Sequence, residues 1–123
     1  MAASTTARQP FILLVEDDEP LRKTIARTLT AAGYIVLGAA TFAQALDKIA
    51  VKPRLLILDI NLPDATGWDV ADWLQDQTTQ IPIIVISGLT PDHEQLRHFK
   101  PKAFLPKPFA MRELLALVEK YVG

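Results

Sequence analysis

Leu55-Leu56-Ile57-Leu58-Asp59-Ile60-Asn61-Leu62-Pro63 is the stretch from which the rest of the chain can be read. Four aliphatic residues run directly into an acid. An apolar run without alternation reads as a strand buried on both faces. The Asn and Pro that follow read as its exit into a turn. Asp59 then stands at or just past the C-terminal edge, where open α/β sheets gather their ligands. A simpler role, capping a turn ahead of Pro63, is equally compatible with this stretch alone.

Upstream, Phe11 to Val15 is a second apolar run, ending in Glu16-Asp17-Asp18-Glu19. Pro20 suits the first turn of a helix, where its missing N–H costs nothing. Leu21, Ile25, Leu29 and Ala32 follow at helical spacing, and Gly33 is a C-terminal stop. Tyr34 to Leu37 reads as a short strand. Thr41-Phe42-Ala43-Gln44 has the form of a capping box, opening a helix to about Ala50 with Leu46 and Ile49 on its buried face. Pro53 breaks it before the central strand.

Downstream, Thr66-Gly67-Trp68-Asp69 again pairs a cap with an acid, and a helix to about Asp76 follows. Pro82 to Ile86 reads as a fourth strand ending on Ser87-Gly88. Thr90-Pro91 opens a helix to about Phe99, and Pro101 ends it. Ala103 to Leu105 is a short fifth strand that runs into Pro106-Lys107-Pro108. The last helix spans Phe109 to about Val122, with Met111, Leu114, Leu115, Val118 and Tyr121 on one face. Strands and helices alternate five times with short connections. That pattern predicts an α/β domain, a parallel sheet with helices on both faces, and right-handed crossovers leave few topologies.

The 123 residues bound one domain with a single core. Residues 1–9 read as a flexible N-terminal tail and 10–123 as the domain. Hydrophobic residues at 50% and charged residues at 22% give an ordinary globular balance. A net charge of -1 argues against a large nucleic-acid footprint. The absence of cysteine excludes disulfides and thiolate chemistry. The tail lacks the apolar centre of a signal peptide, and no run reaches the ~20 apolar residues that span a bilayer. The cytoplasm is the natural compartment.

In a parallel sheet all C-terminal strand ends point one way. Glu16, Asp17, Asp59, Ser87 and Lys107 therefore fall on one edge, from strands one, three, four and five. Close carboxylates repel and raise one another's pKa unless a cation neutralises them. Mg²⁺, which takes a few carboxylates and keeps several waters, suits such a set. Lys107 adds a fixed positive charge and Ser87 a hydroxyl donor, a combination fitted to a phosphoryl group in transfer. Each residue also has an ordinary alternative: Asp17 or Asp18 as a helix cap, Ser87 as a turn cap, Lys107 as a surface lysine.

Together, Glu16-Asp17, Asp59 with Asn61 and Pro63, Ser87, and Lys107-Pro108-Phe109 resemble the receiver domain of two-component response regulators, over nearly the whole chain from Gln9. The resemblance implies a flavodoxin-like (βα)5 three-layer sandwich with sheet order 2-1-3-4-5. It implies that Asp59 accepts a phosphoryl group from a phosphohistidine of a histidine kinase or histidine phosphotransfer protein. It further implies that Asp17, Asp59 and the Asn61 backbone carbonyl ligate Mg²⁺, with Glu16 reaching the metal directly or through water. Lys107 would pair with a phosphoryl oxygen, aided by a cis Lys107-Pro108 peptide, and Ser87 would hydrogen-bond another. Ser87 and Phe104 would form the switch, acting on a surface made by the 90–99 helix, the fifth strand and the last helix.

Such a domain signals rather than turning over a substrate. Its only catalysis is its own phosphoryl acceptance and slow autodephosphorylation. Output is expected through a protein target, without direct nucleic-acid contact or membrane insertion, whether the domain stands alone or belongs to a hybrid kinase or longer regulator. The sequence departs from the pattern at Glu16, where Asp is commoner. It departs also in a shortened segment between Ser87 and Phe104, where Lys100-Pro101-Lys102 replaces a Gly-containing turn. Trp73 stands where a polar exposed residue is usual, a place open to a contact role although a single exposed aromatic is more often incidental.

Three other readings compete. A degenerate receiver would serve only as an interaction module, against which the complete acid, serine and lysine set speaks. A haloacid-dehalogenase-like phosphatase would need a second acid where Asn61 stands. A flavin or nucleotide binder would need a Gly-rich phosphate loop after the first strand, and none follows Val15.

Overall fold

Strand β3 (Leu55–Asp59) is buried at all five positions because the sheet flanks it on both sides and helices cover both its faces. The structure, a computed structural model, describes residues 11–75, 81–89, 92–94, 97 and 100–122. In chain order the elements are β1 (Phe11–Val15), α1 (Glu19–Ala31), β2 (Ile35–Ala39), α2 (Phe42–Ile49), β3, α3 (Gly67–Gln75), β4 (Ile83–Ser87), β5 (Ala103–Pro106) and α4 (Met111–Tyr121). The five strands are parallel, in the order β2-β1-β3-β4-β5. This is the three-layer flavodoxin-like arrangement expected from the sequence.

The two faces of the sheet carry separate cores. Leu13, Val15, Leu56, Leu58 and Val85 pack with Ala45 and Ile49 of α2 and with Trp68 and Val70 of α3. Ile12, Leu14, Ile57, Ile84 and Ile86 pack with Ile25 and Leu29 of α1 and with Leu114 and Val118 of α4. Alternate residues of one strand thus serve opposite layers. An apolar run with no polar break is the sequence form this requires.

The helix ends follow the residues that mark them. The Asp18 carboxylate accepts from the Leu21 N–H at 3.0 Å, with Pro20 in the first turn of α1. Gly33, at φ +100°, ends α1: its N–H reaches the Thr30 carbonyl and the Tyr34 N–H the Leu29 carbonyl. That is the Schellman pattern, and it needs the left-handed backbone glycine tolerates. Thr66 and Asp69 exchange hydrogen bonds across the start of α3, as their spacing predicts.

Several boundaries shift. β2 runs on to Ala39, since Gly38 and Ala39 pair with Leu14 and Val15. β4 includes Ser87 and β5 includes Pro106, which pair with each other. Ala32 lies past the end of α1 and is exposed. Phe109 and Ala110 precede α4, where Glu113 accepts from the Ala110 N–H at 3.0 Å. Trp73, expected at an exposed position, is half-buried against the α2–α3 core.

The Lys107-Pro108 peptide is cis. Lys100, just ahead of Pro101 and β5, holds a left-handed φ of 49°, the conformation that usually selects glycine. Of the helix expected over 90–99, His93, Glu94 and Arg97 are helical, while its Thr90-Pro91 start and its end at Phe99 lie outside the described residues. So do the tail over 1–9 and the end of α3 at Asp76. Among the described residues, no helix is long and apolar enough to cross a membrane.

Candidate functional site

Parallel register delivers the polar residues to one edge. Val15 pairs with Leu58, Asp59 with Ile86 and Ser87 with Pro106. Glu16, Asp59, Ser87 and Lys107 are therefore the next side chains at, or one step past, the ends of four adjacent strands. Glu16, Asp59 and Ser87 are the buried polar residues among the described ones. Carboxylates seldom occupy such positions without a partner.

Their partner here is Lys107. Its Nζ lies 2.7 Å from Glu16 Oε1 and 3.1 Å from Asp59 Oδ2. The remaining oxygens are also engaged: Glu16 Oε2 accepts from the Asp18 N–H at 3.0 Å, and Asp59 Oδ1 from the Asn61 N–H at 3.1 Å. Asp17, exposed beside them, completes a group in which one carboxylate oxygen from each of Glu16, Asp17 and Asp59 lies within 4.8 Å of the others. Three acids against one lysine leave an excess of negative charge. Hard oxygen donors converging at this spacing, one of them fully buried, suit a divalent cation such as Mg²⁺.

Burial drives the Glu16 carboxyl up from 4.5 to about 7, against the opposing pull of Lys107 and the Asp18 N–H and with the Asp59 charge adding to the rise. Lys107 is shifted upward. Its own burial works against the charge, but hydrogen bonds and attraction to Glu16 and Asp59 outweigh it. The ammonium therefore stays charged, and Glu16 is the acid whose proton a cation would compete with.

The backbone supports the acids. The Glu16 N–H donates to the Ala39 carbonyl at 2.9 Å, and the Glu16 carbonyl accepts from Arg22 Nη1 at 2.9 Å. Gly38 gives Arg22 room: a Cβ there would stand 3.3 Å from Arg22 Cδ. At β4 the Ser87 hydroxyl accepts from the Leu89 N–H at 3.0 Å, and its carbonyl accepts from the Lys107 N–H at 2.8 Å. Phe104 is half-buried, beside Val85 in register and packed on the α2–α3 core.

The structure thus brings Glu16, Asp17, Asp59 and Lys107 together, with Asn61 and Ser87 adjoining. Two contributors were not legible in the sequence. Arg22 reads as one more polar residue of α1 until its guanidinium is seen on the Glu16 carbonyl. Asp64, in the loop after β3, accepts from the Phe42 N–H at 2.8 Å and the Ala43 N–H at 3.2 Å. Those partners lie 22 and 21 residues away, beyond any local spacing rule. The hydrogen bond from Phe42, assisted by that from Ala43, holds the Asp64 carboxyl below the usual carboxylate range.

Comparison with known proteins agrees with this geometry. Residues 12–119 match the model of the response regulator receiver domain family. The response regulator MprA of Mycobacterium avium is 37% identical over 108 residues, covering 85% of this chain and 47% of that protein. The chain thus spans about half the length of the curated relatives it matches. The non-phosphorylated HemR receiver domain of Leptospira biflexa superposes with a TM-score of 0.84 at 33% identity, over 94% of this chain and 95% of that one. The Thermotoga maritima response regulator TrrA, solved in complex with Mg(2+)-BeF, superposes with a TM-score of 0.81 at 26% identity, over 92% and 99%. With the family model covering the sheet and its acidic edge alike, this chain belongs to the response regulator receiver domains of two-component signalling.

Proposed function

We propose that this receiver domain accepts a phosphoryl group from a phosphohistidine onto Asp59, with Mg²⁺ held by Glu16, Asp17, Asp59 and the Asn61 backbone carbonyl. A histidine kinase or a histidine phosphotransfer protein in the cytoplasm is the donor. The observation that carries this reading is the convergence of three carboxylates within 4.8 Å of one another, with Lys107 on two of them.

An Asp59 oxygen attacks phosphorus. As the P–O bond forms, the P–N bond to the donor imidazole breaks and its electron pair returns to nitrogen. Bound there, the divalent ion supplies positive charge against the transferring oxygens. Lys107, already on Asp59 Oδ2, turns to a phosphoryl oxygen and keeps its charge throughout. Ser87 exchanges its hydrogen bond with Leu89 for one donated to another phosphoryl oxygen. The new group carries about -1.5 to -2 charges, which biases the Ser87 and Lys107 arrangement and, through β5, the packing of Phe104. The surface formed by β5, α4 and the segment between β4 and β5 then presents itself to a protein target. The domain signals, and slow autodephosphorylation resets it.

Incubation with acetyl phosphate and Mg²⁺, followed by intact mass, tests this. One added phosphoryl group is expected, and none in Asp59→Asn. An unchanged mass for the unaltered protein, or a label mapping to another residue, contradicts the assignment and favours a receiver used only for interaction.

A further inference from the structure

The loop between β3 and α3 is fastened at three places. The Asn61 N–H donates to Asp59 Oδ1 at one end, and Thr66 is locked to Asp69 at the other. Between them Asn61 and Thr66 bridge antiparallel, and the Leu62 N–H meets the Ala65 carbonyl at 3.1 Å. The tip of this small hairpin carries Asp64, whose two carboxylate oxygens take the Phe42 and Ala43 N–H groups of α2.

Those two N–H groups belong to the first turn of α2, which has no carbonyls of its own to receive them. Thr41 Oγ1 takes the next, from Gln44, at 3.1 Å. A carboxylate is also favoured by the positive end of the helix. A distant loop residue therefore completes the cap of α2, and α2 in turn fixes the height of the loop tip. From α2 the connection returns to the acids: β2 ends at Ala39, whose carbonyl holds the Glu16 N–H. The loop and the acidic end of β1 are thus referenced to one another through α2 as well as through β3.

We propose that Asp64 is a positioning residue of the cation site: by tying the loop tip to the first turn of α2, it holds the Asn61 carbonyl where the Glu16, Asp17 and Asp59 carboxylates can share an ion with it. This rests on the reading of Asp59 and Mg²⁺ given above. Asp64 touches none of the reacting atoms; it acts through the backbone of its loop.

The test compares Asp64→Ala, Asp64→Asn and Gln44→Ala with the unaltered protein. Mg²⁺ affinity is read by Trp68 fluorescence, and the Phe42 and Ala43 amide shifts report whether the tie is broken. Gln44→Ala removes a different capping bond of α2, the one its side chain accepts from the Ala40 N–H at 2.8 Å, and leaves Asp64 in place. Asp64→Ala should weaken Mg²⁺ about tenfold, the scale of supporting contacts around metal ligands. Asp64→Asn, which keeps one acceptor, should fall between, and Gln44→Ala should match the unaltered protein. Saturating Mg²⁺ should restore phosphoryl acceptance in Asp64→Ala.

Unchanged affinity in either Asp64 variant with shifted Phe42 and Ala43 amides overturns the proposal. An equal loss in Gln44→Ala overturns it too, since the effect is then only a weakened helix. Failure of the unaltered protein to bind Mg²⁺ would instead remove the underlying reading of the site.

Discussion

Two neighbouring strands deliver their loops to the same edge, and the loops are held differently. After β3, Asp59, Asp64 and Thr66 each anchor residues 60–66 to a separate element. After β4, Ser87 holds the Leu89 N–H through a hydroxyl. Gly88 there has nothing within 4 Å of where a Cβ would stand, and Leu89 is 59% exposed. The first loop belongs to the half that would hold the ion, where pre-set geometry raises affinity because little ordering remains to be done. The second belongs to the half that would answer phosphorylation. The Ser87 hydroxyl contact there can be exchanged for one to a phosphoryl oxygen at small cost. On the proposed reading, a fixed half and a responsive half meeting at one carboxylate would suit a switch.

The largest effect that breaks this comparison falls on the ion half. Asp17 is exposed and supplies charge without packing, so Asp17→Asn should weaken Mg²⁺ by on the order of tenfold or more while thermal unfolding stays near that of the unaltered protein. Calorimetric titration reads the first and circular dichroism the second. Equal affinity would remove Asp17 from the ligand set.

Acidity sharpens the same half. Burial pushes the Glu16 carboxyl up to about 7 from an ordinary 4.5. Its carboxyl is raised, so its contribution to stability is fully present below about 4.5 and is lost as pH rises through about 7. A cation reverses that preference, because it needs the carboxylate. Mg²⁺ affinity should therefore climb between about pH 6 and 8, and the stability gained from Mg²⁺ should grow over the same range. Glu16→Gln should flatten both curves. A pH-independent affinity in the unaltered protein would place Glu16 outside the site.

The smallest effect lies beyond the second loop. Lys100 is exposed and holds a left-handed φ of 49°, a geometry that glycine tolerates better. Lys100→Gly should stabilise by about 1 kcal/mol or less, since the freer unfolded chain offsets part of the relief. Denaturant unfolding checks it; clear destabilisation would mean that Lys100 makes a contact worth more than the strain.

Strands and caps were legible because their causes are local. An unbroken apolar run such as Leu55 to Leu58 can only sit between two layers, and Thr66 with Asp69 signals a helix start at fixed spacing. The acids and Lys107 could be assigned to one edge because parallel strands share a direction. Their mutual contacts could not. That Lys107 bridges Glu16 and Asp59 follows from how β5 lies beside β4. Trp73 turned inward because α3 presents it to the core, although its place in the pattern suggested an exposed side chain. Arg22 and Asp64 were invisible for a plainer reason: each acts on backbone groups that only tertiary structure brings near.

The most direct test of phosphoryl acceptance at Asp59, with a fixed and a responsive half around it, is amide shift mapping with Mg²⁺ and beryllofluoride, on the unaltered protein and on Asp59→Asn. Beryllofluoride stands in for the phosphoryl group. In the unaltered protein, shifts should be largest at Ser87 to Leu89 and Ala103 to Lys107, and smaller at 60–66 and at Phe42 and Ala43 than at those positions. Asp59→Asn should show none of the beryllofluoride response. The same response in Asp59→Asn, or shifts concentrated in 60–66 with Ser87 and Phe104 unmoved, would contradict the account.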